Sequence, residues 1–501
     1  MKKLNTLYSS SSKHSCYQEI HPSLTKNIEV TANVAIQRYE LQRAKFISDN
    51  LNFQDKMVLD IGGNTGYFSF EAISKGAKSV LLIEGNENHA EFVSELAIAE
   101  NLPISVSNKY FDFENNNSKS DIVFILNVLH HIGDDFGSQN ISKSEALNYI
   151  AKAINNFHEK TDILIFQLGY NWKGDRNLPL FENGTKREMI EFVYNTIKHN
   201  WDLIHVGIAE VVNGETIFNY LNQENIERDD ELGEFRNRPL FILRKKTIES
   251  DPDKEISFLD SLVETYKDDS PYSRIKKDII LSEMRDHIDR KDIVNVLQLG
   301  CSNGYETDEL IKTFGKLDVV DGSTVFINKM NEKNRNMNVN FIHSLFENLN
   351  KTLKGRKYDL IVCNYVLEHV TDPIFVLQQL KSLLKNSGQI VVVVPNAHAL
   401  SRQIAVQMNL LSSLTALSEN DIAHGHRRVY TKDNIEKDLL VSGLKILSRK
   451  GVIFKILADF QLNKLIAEGT LTNNHFIALQ KITNQNENIP FSDSFLYFLG
   501  K

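Results

Sequence analysis

The most constraining feature of this 501-residue chain is that part of it is written twice. Val58-Leu-Asp-Ile-Gly-Gly-Asn-Thr-Gly66 returns 238 positions later as Val296-Leu-Gln-Leu-Gly-Cys-Ser-Asn-Gly304. Asp121-Ile-Val-Phe-Ile-Leu-Asn-Val-Leu-His-His131 returns at the same offset, 238, as Asp359-Leu-Ile-Val-Cys-Asn-Tyr-Val-Leu-Glu-His369. Between these segments Glu84 closes the apolar run 80–83 and Asp321 closes the run 317–320, at an offset of 237. Three patterned segments in one register indicate a duplicated unit, and the length is already too great for a single ordinary core.

Each copy alternates strands and helices. Residues 56–61 and 295–299 are short apolar runs ending in glycine, the pattern of a strand buried on both faces. Helical stretches follow at Tyr67–Ser74 and Tyr305–Phe314, then a second strand, and later an apolar strand (122–126; 360–363) that precedes the histidine. The fold expected is α/β, two tandem Rossmann-like doubly wound sheets. Residues 239–243 are expected to close the first sheet and 475–479 the second. The polar, acidic segment 246–267, with Asp251-Pro-Asp253 inside it, reads as a linker between domains 1–245 and 268–501. Residues 1–50 and 268–292 read as helical lead-ins. The last fifteen residues, with Pro490 and a Phe/Tyr-rich end, fall outside the repeat.

Composition narrows the function. Lys and Arg number 57 against 65 Asp and Glu, a net charge of −8, so nothing in the totals suggests a phosphate-gripping surface, and nucleic acid is not favoured as a partner. The three cysteines, Cys16, Cys301 and Cys363, form no CxxC pair, which argues against a disulfide framework or structural zinc and for a reducing cytoplasm. The N-terminus lacks the apolar stretch of a secretory signal, and the longest apolar run, 390–394, is far too short to span a bilayer.

A glycine-rich turn after the first strand lets the backbone approach a ligand, and an acidic residue ending the second strand can accept both ribose hydroxyls. Glu84 and Asp321 stand 18 and 17 residues after Gly66 and Gly304. A dinucleotide fingerprint would add a third glycine to seat the pyrophosphate, and neither copy has it. With the histidine segment, both copies resemble class I S-adenosylmethionine-dependent methyltransferases, over most of residues 40–245 and 275–482. The resemblance implies S-adenosyl-L-methionine as cofactor. It implies that Gly62, Gly63, Asn64 and Gly66 wrap its methionine part, with Asp60 supporting the loop. Gln298, Gly300, Cys301, Ser302 and Gly304 would serve in the second copy, where Gln298 brings no charge in place of Asp60. Asp112 with Phe113, and Leu345 with Phe346, sit where the family contacts adenine. Asn127 and Asn364, ending the fourth strands, complete the expected cofactor set.

The second copy also resembles small-molecule and sugar methyltransferases. It has Leu383-Leu-Lys-Asn-Ser-Gly388 followed by a strand ending Pro395-Asn396, and His424-Gly-His-Arg-Arg-Val-Tyr-Thr431 as a substrate-side insert. Methyl transfer to an alcohol needs a base or a metal, and His131, His369 and His426 are the candidate bases; packing at a strand-to-helix corner or contact with cofactor is the alternative for His131 and His369. His130 is expected to face solvent or cofactor. Arg427 and Arg428 would suit an anionic acceptor, with a solvated loop as the alternative. Gln167, Tyr170, Asn171 and Trp172 would lie over the first acceptor side. Asp134 and Asp135 follow the histidine pair, yet no metal is predicted. The function expected is O-methylation of a sugar, glycan precursor or other small metabolite, as in polysaccharide biosynthesis. The alternatives are a tRNA methyltransferase, or one active domain supported by a regulatory one. The oligomeric state is left open.

Overall fold

The computed structural model describes residues 2–8, 18–24, 38–247, 251–263, 269–289, 291, 293–334 and 338–501. Cys16 and parts of segment 246–267 lie outside the described residues. The chain divides into two compact units, Met1–Thr247 and Ile248–Lys501.

The first unit is built on an eight-stranded sheet. Its strands are β1 (Met57–Ile61), β2 (Ser79–Glu84), β3 (Ile104–Asn108), β4 (Ile122–Leu126), β5 (Ile163–Gln167), β6 (Trp201–Val212), β7 (Glu215–Tyr220) and β8 (Leu240–Lys245). Their order is β3-β2-β1-β4-β5-β8-β6-β7. The first five are parallel, and β8 inserts antiparallel between β5 and β6. Parallel central strands must be covered on both faces, which is why β4 and β5 read as unbroken apolar runs. Helices Tyr67–Ser74 and Glu87–Ala99 make the crossovers on one side of β1.

The second unit repeats the plan with β9 (Val296–Leu299), β10 (Leu317–Asp321), β11 (Val339–His343), β12 (Tyr358–Asn364), β13 (Leu384–Pro395), β14 (Lys445–Val452) and β15 (Ser494–Gly500). The order is β11-β10-β9-β12-β13-β15-β14, with β15 antiparallel to both neighbours. Both sheets are thus doubly wound, and in each the latest strand to pair with the fifth is the last in sequence.

Three expectations are corrected. Residues 475–479 are not the closing strand but part of helix Asn473–Thr483, whose buried positions Phe476, Gln480 and Thr483 follow helical spacing. A five-residue apolar run does not by itself distinguish strand from buried helix. The closing strand is Ser494–Gly500, buried at every position, so the chain end read as lying outside the repeat is the second sheet's inner strand. Segment 246–267 also holds helix Pro252–Leu262. Asp251 caps it by accepting from Asp253 N and Lys254 N, with Pro252 in its first turn, so Asp-Pro-Asp is a helix start rather than linker punctuation. Asp260 accepts from Ser323 Oγ (2.7 Å) and Thr324 Oγ1 (2.6 Å), and Glu255 pairs with Arg427 (2.7 Å), fixing the helix to the second unit. Among the described residues no helix is long and apolar enough to cross a membrane.

Because Phe498 is fully buried between β13 and β14, Phe498→Ala should destabilise the second unit by about 3–5 kcal/mol. Hydrogen exchange should show protection falling in β13, β14 and β15 and holding in β1 to β5.

Candidate active sites

In each unit the strand order reverses beside the first strand, between β1 and β4 and between β9 and β12, and the crevice outside the carboxyl ends of those strands is where such sheets bind ligands. The loops entering the crevice take left-handed backbone at alternate residues: Gly62 (φ 67°), Asn64 (54°) and Gly66 (82°), then Gly300 (75°), Ser302 (46°) and Gly304 (82°). A Cβ on Gly62 would stand 2.7 Å from Val128 Cγ2, so only glycine fits there. Gly66 and Gly304 face inward, against Val93 and Met330, and serve helix packing rather than lining the cavity.

A carboxylate holds each loop. Glu84 accepts from Asn64 N (2.8 Å) and Asn86 N (2.7 Å). Asp321 accepts from Cys301 N (2.9 Å) and Ser323 N (2.8 Å). The same side chain therefore secures the loop and the turn into the next helix. Burial raises the Asp321 carboxyl, against the pull of these amides.

The two copies differ beneath the loop. Asp60 is buried and accepts from Ser69 Oγ (2.7 Å). Burial pushes its carboxyl up to about 7, with the Glu84 charge adding to the effect and the Ser69 bond opposing it. Gln298 keeps the hydroxyl bond, accepting from Thr307 Oγ1 (2.8 Å), and turns its amide Nε2 toward Glu306 Oε2 (3.3 Å). Glu306 Oε1 accepts from Asn364 Nδ2 (2.6 Å). Sequence reasoning missed Glu306, although it stands 238 positions after Phe68, where the first copy has no charge to offer.

The first cavity, about 1010 Å³, is lined by Asp60, Gly62, Gly63, Asn64, Glu84, Phe113, Asn127 and His131 among others. Phe113 packs among Phe111, Phe136 and Phe157. Asp112 is exposed and closes its own turn, accepting from Glu114 N and Asn115 N. Asn127 donates to Gln167 Oε1 (3.0 Å) and accepts from Arg238 (2.8 Å). His131 Nδ1 lies 3.4 Å from Asp135. His130 does not face solvent: it is buried, accepts from Gly169 N (3.2 Å) and stacks beside His131. Trp172 donates to Ile132 O (2.7 Å) and Tyr170 to Asn237 O (2.8 Å), so both brace the wall, while Asn171 lines it. The lead-in adds Glu40 and Arg43, which no motif flagged; burial pushes the Glu40 carboxyl up to about 7.

The second cavity, about 560 Å³, is lined by Gln298, Gly300, Cys301, Ser302, Glu306, Asp321, Phe346, Asn364, His369 and His426. Leu345 is not among its walls and sits near Gly322 instead. His426 Nδ1 lies 3.2 Å from Asp421 Oδ1. Burial would raise Asp421, but hydrogen bonds from His426, Ser418 and Arg402 hold it well below the carboxylate range. Burial pushes His369 down to about 3, and its Nδ1 lies 3.3 Å from Gly425 O. Glu368 is fully buried, and neither carboxylate oxygen has a hydrogen-bond partner among the described residues. Glu368, His369 and His426 each bring one ligand atom within 4.8 Å of the others, a set able to hold a divalent cation, as are His131, Asp134 and Asp135. Arg427 and Arg428 are not available to an anionic acceptor. Arg427 grips Glu255 and His369 O, and Arg428 donates to the carbonyls of Leu367, Val370 and Thr371. Five donors in a fixed fork suit such carbonyl bracing as well as they suit a carboxylate.

Residues 248–449 match the methyltransferase domain family. The second unit thus carries a methyltransferase domain. Among curated methyltransferases it is similar to malonyl-[acyl-carrier protein] O-methyltransferase 1 of Ilyobacter polytropus, 33% identical over 99 residues, 19% of this chain and 36% of that protein. It is also similar to the ubiquinone biosynthesis O-methyltransferase of Dinoroseobacter shibae, 24% identical over 169 residues, 33% of this chain and 66% of that protein. It thus spans about a third of the first methyltransferase's length and about two thirds of the second's. The solved N-methyltransferase NodS of Bradyrhizobium japonicum, in complex with S-adenosyl-L-homocysteine, is 14% identical with a TM-score of 0.30, over 48% of this chain and 96% of that one.

The buried Asp60 makes a pH signature. Its carboxyl rises to about 7 in the fold from about 3.9 in an unfolded chain, so the stability it contributes is whole below that lower value and is lost as pH climbs to 7. Asp60→Asn should keep the Ser69 bond and flatten this decline. Thermal melts at pH 5 and pH 8 should show the variant losing less stability than the parent.

Proposed function

We propose that the chain is a bifunctional S-adenosylmethionine-dependent methyltransferase, each unit binding cofactor at its own glycine loop and methylating an acceptor in its own chamber. The second unit acts on a hydroxyl of a sugar, glycan precursor or other small metabolite, as in polysaccharide biosynthesis. The setting is a reducing cytoplasm, in keeping with the buried, unbridged Cys301 and Cys363. The observation that supports this reading is that a single cavity in each unit joins the loop-clamping acid to an imidazole: Glu84 to His131, and Asp321 to His369 and His426.

The residues present fit the cofactor. A loop with left-handed glycines allows close backbone approach, and the clamping carboxylates stand where ribose hydroxyls can reach them. When bound, the cofactor supplies a methyl group activated by its sulfonium. The chain's own work is to hold the acceptor in line, exclude water and take its proton. In the second unit His426 Nδ1 lies 3.2 Å from Asp421, whose negative charge stabilises the imidazolium that forms as Nε2 accepts the hydroxyl proton. In the first unit His131 stands in the same relation to Asp135, less closely.

His426→Gln should lower turnover in the second unit by about 10²–10⁴-fold and leave cofactor affinity unchanged. His131→Gln should do the same in the first. Mass spectrometry of metabolites and glycans should then show the loss of one methyl increment for each disabled half. One saturable cofactor site per chain, in place of two, would return the second unit to a regulatory role.

A further inference from the structure

The second unit lacks the motif's acidic residue at position 298, which on sequence alone weakens its claim to bind cofactor. We infer that Glu306 replaces it, as the carboxylate that receives the α-ammonium of the cofactor's amino-acid end. This rests on the reading of the second unit as a cofactor-binding domain.

The register of the duplication carries the argument. Asp60 corresponds to Gln298, Ser69 to Thr307 and Phe68 to Glu306, all at an offset of 238. In the first unit the carboxylate is on the strand, the hydroxyl of Ser69 donates to it, and Phe68 is buried in the core. In the second unit the hydroxyl of Thr307 still donates to residue 298, but the charge has moved to the helix, two residues past the loop. Gln298 is the residue type that lets this happen: its amide oxygen takes the hydroxyl and its amide nitrogen points at the displaced carboxylate. Asn364 holds the other oxygen from the end of β12.

Position and exposure agree with a ligand-facing role. Asp321 ends β10 and Asn364 ends β12, on opposite sides of β9, so a nucleoside held at Asp321 extends its amino-acid end toward Asn364 and Glu306. Glu306 is half-buried and lines the cavity, where a charge-assisted bond is stronger than in water. An acidic residue in a first helical turn also suits the helix dipole. The dipole alone does not account for two amide side chains, from β9 and β12, converging on this one.

The test is calorimetric titration of the full chain with two ligands: S-adenosylhomocysteine, and 5′-methylthioadenosine, which lacks the amino-acid end. Two binding events are expected for S-adenosylhomocysteine. Glu306→Gln should weaken one of them tenfold or more while changing methylthioadenosine binding less than twofold. The exchange Gln298→Glu with Glu306→Gln, which moves the charge back to the strand, should restore affinity to within about threefold. Parallel weakening of both ligands would make Glu306 a structural residue and overturn the inference, as would an unchanged profile. If the parent chain shows a single event, untouched by Glu306→Gln and without protection of residues 296–310 in hydrogen exchange, the cofactor reading of the second unit falls with it. That outcome differs from two events of which neither moves, which removes only the role of Glu306.

Discussion

Each half of the molecule depends on a carboxylate that accepts a backbone N–H from the loop after the first strand. Glu84 holds Asn64 and Asp321 holds Cys301, and each also takes the amide two residues further along its own chain. The loops they hold are costly. Asn64 and Ser302 occupy left-handed backbone that side chains disfavour, and such conformations persist only where surrounding contacts over-determine them. A charged acceptor supplies that constraint, because a carboxylate bond to an amide is roughly twice as strong as a neutral one. The end of the second strand, the glycine loop and the next helix are therefore set by one side chain, and the crevice between the first and fourth strands takes its shape from them.

The two crevices have come to differ in where their charge resides. The first keeps a carboxylate buried in the strand, at Asp60, and lines the same cavity with Glu40, Arg43 and Arg238. The second leaves the strand neutral and places carboxylates on the helix and beyond the fourth strand, at Glu306 and Glu368. Its arginines are spent on architecture: Arg427 ties the fourth-strand loop to helix Pro252–Leu262, and Arg428 satisfies three carbonyls of that same loop. Unsatisfied buried carbonyls are costly, so a guanidinium beside a tight loop is drawn to them before it can serve a ligand.

Much of this architecture could be read in advance, and the failures have physical causes. The first strands, the glycine loops, helices Tyr67–Ser74 and Tyr305–Phe314 and the acidic strand ends announce themselves through short-range pattern. The second sheet's closure does not, because residues 475–479 and 494–500 are both short apolar runs, and only the vacancy between β13 and β14 selects between them. Asp251-Pro-Asp253 carries a turn signal and a helix-start signal at once. The helix prevails because Asp260 and Glu255 find partners in the second unit.

What the sequence determined by itself is the duplication, the alternation of strand and helix, and the residue types at each loop, since spacing along a chain is enough to encode local geometry. Tertiary structure alone decided which polar group meets which. His130 and His131 are neighbours in sequence and both line the cavity, yet one is buried and locked against Gly169 and the other lies beside Asp135. The carboxylate missing at Gln298 is present at Glu306 because a loop and a helix turn bring position 306 back to the end of β9. Hydrogen bonds and charges act over a few ångströms of space, and sequence distance does not measure that.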